Sequence, residues 1–312
     1  MLASAAEHVQ VSVRQAQSAR ADFKLLHTEK NVPSGTFFLY SGKCQARRLI
    51  SLEYQKKKAI LVVSFGTSVN ETRARTLDAI EDSVRDAYPD FQVYRAWTSP
   101  RIRTLIYERD HVKIDSVPEA MEQMAQDGIR DVIVQPTHML NGIQNDGMKD
   151  DAMKFSGAFS SLRFGSPLLT SAEDGDAVLE AILSEFHDLF NEEMLVLMGH
   201  GTAHCANSVY GDLNRRFKDL GHPNIFLGTV DASPDIGELL ALAAARRPRR
   251  ILLAPFLIVS GSHVLEDMAG ANQDSWRSRF SAAGYEVKCV LKGLGEYPAI
   301  RRIFLRHIAE AV

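Results

Sequence analysis

The sequence predicts an α/β protein of two similar Rossmann-like halves, each built on a parallel sheet, facing one another across a central cleft. Three observations carry that prediction. From Lys57 onward, apolar strand-like runs alternate with amphipathic helical stretches, which implies right-handed crossovers and parallel pairing. The strand runs are apolar on both faces, as when helices cover both sides of a sheet. The strand ends and their turn residues then recur in the same order, which assigns residues 57–170 to one half and 171–312 to the other.

The elements follow in turn. Residues 59–65 read as the first strand, and Ser68 with Glu71 three residues on reads as a capping box. Leu77, Ile80, Val84 and Ala87 then share one helical face. Residues 91–97 form a second strand, and Ser99-Pro100 opens a helix with Ser as cap and Pro at its first position. Ser116 and Glu119 cap another helix that stops near Asp127-Gly128, and residues 131–135 form a third strand. In the second half, residues 194–198 run into Gly199-His200-Gly201-Thr202, and residues 251–259 run into Ser260-Gly261-Ser262-His263. Three segment pairs match across the halves: Ser64-Phe65-Gly66-Thr67 with Gly199-His200-Gly201-Thr202, Trp97-Thr98-Ser99-Pro100 with Asp231-Ala232-Ser233-Pro234, and Asn141-Gly142 with Ser260-Gly261.

Composition narrows the function. The chain has 312 residues, 45% of them apolar and 24% charged, with a net charge of −3, so it lacks the strongly basic balance of a nucleic-acid binder. Cys44, Cys205 and Cys289 are widely spaced, which provides neither a disulfide framework nor a thiolate metal motif and suits a reducing cytoplasm. No apolar run reaches the length of a membrane span, and the first residues lack the basic and apolar regions of a secretory signal. Residues 1–56 read as an N-terminal extension with no assigned role. Exposed apolar faces would allow a homo-oligomer.

Chemistry concentrates at the strand ends of the second half. In open parallel sheets, ligands bind beyond the carboxyl ends of the strands. His200 and His263 stand there, and the repeat sets them opposite Phe65 and Gln144, with Asp231 opposite Trp97. Two imidazoles and a carboxylate make an open N2O site for a divalent ion such as Co(II), Fe(II), Ni(II) or Zn(II); the alternative is a pair of hydrogen-bonded loop histidines. His204 reads either as a partner behind His200 or as an exposed helix-start residue, and His138 as facing the cleft or as a satisfied structural histidine. Glu266 and Asp267 fit the start of a helix, where carboxylates favour the dipole. Ser68 leads into a helix N-terminus, and Arg95, Arg101 and Arg103 could pair with a polyanionic ligand.

Several motifs then occur together and in order: Val62-Val63-Ser64-Phe65-Gly66-Thr67-Ser68, Met198-Gly199-His200-Gly201, Gly261-Ser262-His263, Asp274-Ser275-Trp276 with Arg279-Phe280, and Gly293-Leu294-Gly295-Glu296-Tyr297-Pro298-Ala299-Ile300. From Lys57 to Val312 the chain closely resembles the anaerobic cobalt chelatases of cobalamin biosynthesis, the CbiK family of class II tetrapyrrole chelatases. That resemblance implies two chelatase-like domains around a tetrapyrrole cleft and a lyase that inserts Co(II) into sirohydrochlorin. It implies no prosthetic group, the metal being substrate. It places His200 and His263 on the family's active-site histidines, and Asp231 where relatives commonly have a glutamate completing the metal site. The repeat sets an apolar, aromatic wall of Phe65 and Trp97 opposite the metal ligands, and Ser68, His138 and Gln144 complete the expected tetrapyrrole-binding set. Gln144 stands where relatives often carry an acid, so Asp146 or His138 would substitute there. Fe(II) insertion for siroheme is the second reading, and a non-catalytic metal or tetrapyrrole carrier the third.

Overall fold

The computed structural model describes residues 57–312; the segment read as an extension, with Cys44, lies outside the described residues. Strands β1 (Lys58–Ser64), β2 (Gln92–Trp97), β3 (Asp131–Pro136) and β4 (Ser161–Phe164) form one parallel sheet in the order β2-β1-β3-β4. Strands β5 (Glu193–Gly199), β6 (Ile225–Thr229), β7 (Arg250–Pro255) and β8 (Glu286–Cys289) form the second, β6-β5-β7-β8, also parallel. The duplication read from the sequence is thus a duplication of topology. The short edge strands β4 and β8 carry no distinct apolar run, so the sequence pattern did not show them.

Strand alternation builds the core in layers. Ile60 and Val62 point to one side of β1, and Leu195 and Leu197 to one side of β5; all four belong to a single apolar cluster shared by the two halves. Ala59, Leu61 and Val63 point the other way into a cluster private to the first half, as Met194, Val196 and Met198 do in the second. Strands buried on both faces are what an unalternating apolar sequence requires.

Three local expectations are corrected. Ser68 does not cap a helix: Thr67 Oγ1 accepts the Val69 N–H at 3.3 Å, Arg109 binds the Ser68 carbonyl at 2.7 Å, and helix α1 (Asn70–Arg73) starts later with no side-chain cap. It continues through a π-turn (Ala74–Asp78) into α2 (Ala79–Ala87), whose buried face is Leu77, Ile80, Glu81 and Val84, while Ala87 is exposed. The strand read over 251–259 ends at Pro255; the Phe256 N–H still reaches the Met198 carbonyl at 2.7 Å, and Phe256 and Ile258 pack in the core. The other starts hold. Ser99 caps α3 (Pro100–Asp110), and Ser116 with Glu119 forms the capping box of α4 (Val117–Gln126).

After α5 (Ile143–Met153) and α6 (Ala172–Glu185), the second half runs through α7 (Ser208–Asp219), α8 (Ile236–Arg246) and α9 (Trp276–Ala282) to α10 (Pro298–Ala311). Helix α10 returns to the first half and lies against α2, β3, β4 and α6. Its His307, 2% exposed, sits between the Ser166 carbonyl (3.0 Å) and Asp174 Oδ1 (2.8 Å). Arg306 also pairs with Asp174. Burial by itself would raise the Asp174 carboxyl, but hydrogen bonds from His307 and Thr170 outweigh it and hold the group down at about 2. No described helix is long and apolar enough to cross a membrane.

Removing Asp174 strands four partners, His307, Arg306, Thr170 and Ser171, in a largely buried contact. Asp174→Ala is expected to cost about 3–5 kcal/mol. Equilibrium urea unfolding measures this, and a loss below about 1 kcal/mol would show the clasp to be incidental.

Candidate functional site

The site begins with two tight turns at matching strand ends. Gly66 (φ +101°) follows β1, and Gly201 (φ +83°) follows β5. A Cβ on Gly66 would come within 2.7 Å of the Trp97 ring, and one on Gly201 within 2.8 Å of Thr229 Cβ, so both positions need glycine for conformation and for space. The residues just before these turns project outward. Phe65 is 49% exposed, and the His200 side chain is 48% exposed.

His200 and His263 meet in an edge-to-face pair, with ring centroids 4.8 Å apart and planes at 79°. Each has a carboxylate at Nδ1. His200 Nδ1 lies 3.3 Å from Asp231 Oδ2 and 3.2 Å from the Gly201 carbonyl, and His263 Nδ1 lies 2.6 Å from Asp267 Oδ2. Neither Nε2 makes a hydrogen bond within the described residues. Among those residues, no three His, Cys, Asp or Glu side chains converge closely enough to enclose an ion by themselves. The arrangement is an open pair of carboxylate-backed imidazoles.

The halves interlock beside this pair. Thr72 Oγ1 donates to the Ser260 carbonyl at 3.1 Å, Gly261 faces Thr67, and Gly142 faces His204. The first half contributes the exposed side chains of Phe65, Ile143 and Gln144 at its own strand ends. Paired carboxylate–histidine groups on one wall and apolar groups on the other can hold a divalent ion and accept protons beside a large apolar ligand.

A cobalt chelatase model named CbiK matches residues 58–312. The sirohydrochlorin cobaltochelatase of Salmonella typhimurium is 34% identical over 256 residues, spanning 82% of this chain and 97% of that protein. CbiKC of Nitratidesulfovibrio vulgaris, also a sirohydrochlorin cobaltochelatase, is 32% identical over 259 residues, spanning 82% and 91%. The chain belongs to the CbiK cobalt chelatase family. Its fold is the chelatase fold: SirB from Bacillus subtilis, solved with Fe3+, aligns with a TM-score of 0.58 at 13% identity over 81% of this chain and 95% of that one. CbiX, the terminal enzyme of siroheme biosynthesis in denitrifying bacteria, aligns with a TM-score of 0.50 at 18% identity, over 82% and 100%.

Hydrogen bonds now fix which residues correspond in this CbiK chain. Thr98 N and Ser99 N bind the carbonyls of Ser64 and Phe65, and Val230 N and Asp231 N bind those of Gly199 and His200. His200 therefore corresponds to Phe65, as the sequence indicated, but Asp231 corresponds to Ser99. Trp97 corresponds to Thr229, since each pairs with the last residue of its central strand. The second half has two extra residues before its Ser-Pro, which displaced the sequence match. Trp97 is consequently a core residue at 0% exposure, sealed beneath Gly66, and does not line the cleft. His263 does correspond to Gln144, because Gly142 and Gly261 accept equivalent N–H groups one turn later.

Other expected ligand groups are placed differently. Arg95 is held by Glu81 and Asp78, and Arg103 by Glu119, so neither is free for a ligand; Arg101 is exposed. Ser68 is half-buried, and Asp146 is exposed on the first turn of α5. His204 caps a 3-10 turn, its Nδ1 accepting the Ala206 N–H at 3.2 Å, and shares no helix with His200. Asp267, which the sequence showed only as a helix-start acid, is the partner of His263. Its spacing of four residues was the available signal.

His138 is buried and is not a satisfied structural histidine. It is 8% exposed, and both ring nitrogens lack a hydrogen bond. Leu168 N binds the His138 carbonyl as Leu294 N binds that of Leu257, so the other half has leucine here. Beside His138 lies the buried Asn145, whose counterpart is Val264. Burial pushes the His138 imidazole down to about 4, against a small upward pull from Asn145. The unfolded chain therefore binds this proton first, and stability falls as pH drops from about 6.5 to about 4, by roughly 3 kcal/mol in all. His138→Leu is expected to remove that part of the acid slope, measured as urea-unfolding free energy at pH 7 and pH 5. An unchanged slope would mean that the buried ring is not what titrates.

Proposed function

We propose that this protein is a sirohydrochlorin cobaltochelatase, which inserts Co(II) into sirohydrochlorin with release of two protons and acts in the cytoplasm as part of cobalamin biosynthesis. The observation that carries the reading is the pair of imidazoles, each with Nδ1 at a carboxylate and Nε2 unoccupied, on one wall of a cleft in a CbiK-family chain. His200 and His263 would receive the incoming ion through Nε2. Asp231, 58% exposed, backs His200 and is close enough to share the ion's charge. A neutral imidazole binds a metal or a proton through the same lone pair, so a histidine whose Nε2 releases the ion to the macrocycle can take a pyrrolic proton there, a contribution of ~10²–10⁴-fold.

The first half serves the macrocycle. Phe65 and Ile143 offer exposed apolar surface to the ring, while Gln144 can donate or accept a hydrogen bond at its rim. Two donors from one protein wall leave coordination positions open, so the metal passes to the macrocycle as substrate and is not retained.

The decisive assay follows the absorption spectrum of sirohydrochlorin anaerobically with excess Co(II). Many turnovers per protein chain are expected, with initial rates higher than with Fe(II). One equivalent bound without turnover would mean a carrier, and faster Fe(II) insertion would mean a siroheme enzyme. His200→Ala and His263→Ala are each expected to lower turnover at least ~10²-fold while leaving thermal unfolding unchanged. Wild-type rates in both variants would exclude this site.

A further inference from the structure

The helical turn after His263 differs from its counterpart by one residue. In α5 the first buried anchors are Asn145 and Met148, three positions apart along a regular helix. In the second half they are Val264 and Met268, four apart, within a π-turn (Val264–Met268) closed by the Ala269 N–H on the Val264 carbonyl. A π-turn is how a helix absorbs a single inserted residue without losing its anchors, and such turns recur at functional sites. The additional residue lies between the anchors, so the position four after His263 is half-exposed instead of a buried anchor, and residues four apart are neighbours along a helical turn. Asp267 occupies that place, with Oδ2 2.6 Å from His263 Nδ1. The first half, with Gln144 in place of His263, lacks the insertion; its first-turn acid, Asp146, lies two residues on, and the residue four on is the buried Met148.

We infer that Asp267 is a positioning residue for metal insertion: it accepts the His263 Nδ1 proton and so keeps Nε2 as the lone-pair nitrogen that meets the incoming divalent cation. The inference rests on the role proposed above for His263. Without an acceptor at Nδ1, the neutral ring distributes its proton between both nitrogens and rotates freely about its side-chain bonds. A carboxylate removes both freedoms and makes Nε2 a better donor, an arrangement whose loss typically costs 10–100-fold in metal affinity or activity. Packing does not require an acid here, because the turn's buried anchors are Val264 and Met268 and the Asp267 side chain is 43% exposed. Substitution there should therefore leave the fold intact.

The test has two independent readouts on the full chain. Nitrogen-15 spectra of histidine in the metal-free protein, above the range where imidazole is protonated, should show His263 with Nδ1 carrying the proton. Asp267→Ala should lose that preference, and the isosteric Asp267→Asn should retain it in part, through its amide oxygen. In steady-state insertion, Asp267→Ala should raise the KM for Co(II) about 10–100-fold and leave the KM for sirohydrochlorin within about twofold, with Asp267→Asn intermediate. Equal effects on both KM values, unchanged kinetics, or an unchanged tautomer would overturn the inference. If His263→Ala also retained wild-type turnover, the proposed site would fail. Unchanged Asp267 variants beside an inactive His263→Ala would fail only the positioning role.

Discussion

The cleft depends on where the two central strands stop. β1 and β5 each have a partner on both edges, so backbone hydrogen bonds set their register on two sides, and the apolar clusters on their faces prevent a slip. Moving either strand by one residue would exchange its inward and outward side chains. Pro136 and Pro255 sit at the same register on the neighbouring strands, opposite Val63 and Met198, and the N–H groups of Thr137 and Phe256 close both ladders at the same height. The left-handed glycines then turn the chain away. Phe65 and His200 are held at one defined point on each wall because everything behind them is rigid.

A duplicated frame makes departures from its symmetry informative. Side chains that only fill space should be interchangeable between the halves, and those that differ in kind call for another explanation. The second half has His200 with Asp231 and His263 with Asp267, where the first has Phe65 with Ser99 and Gln144 with Met148. The first half in turn buries His138 and Asn145 where the second has the half-buried Leu257 and the buried Val264, and that change carries a desolvation cost. The two carboxylate–imidazole pairs are half-exposed and avoid that cost. Polar chemistry has thus been added to one wall without weakening the core that aligns it.

The sequence made the large features legible because they rest on composition over many residues. Unalternating apolar strands require cover on both faces, and Ser99, Ser116 and Glu119 satisfy helix N-termini by local chemistry. His200 and His263 were legible because each follows a strand that glycine interrupts. What failed depended on register. A two-residue insertion before Ser233-Pro234 moved the apparent counterpart of Trp97 from Thr229 to Asp231, and a buried tryptophan was read as a cleft wall. Asp267 was obscured for a similar reason: an acid near a helix start has an adequate electrostatic explanation, and a π-turn has no composition signature. The capture of Arg95 by Glu81 and Asp78 depends on packing between elements, which no local pattern encodes.

The open geometry at His200 and His263 suits the transferred metal of the proposed reaction. An ion enclosed by three or four protein donors gains binding energy that it must give up before it can leave. Two imidazoles present fewer bonds to break, but they also hold a hydrated cation weakly unless their donor nitrogens are already aimed and electron-rich. In that proposal Asp267 at His263 Nδ1, and the Gly201 carbonyl with Asp231 nearby at His200 Nδ1, would supply that aim from behind the rings, adding negative charge near the cation. Placing the acids on the far side of the imidazoles therefore reconciles capture with release. On the inferred role of Asp267, an insertion that delivers an acid to a ring nitrogen serves transfer better than one that would deliver another direct ligand.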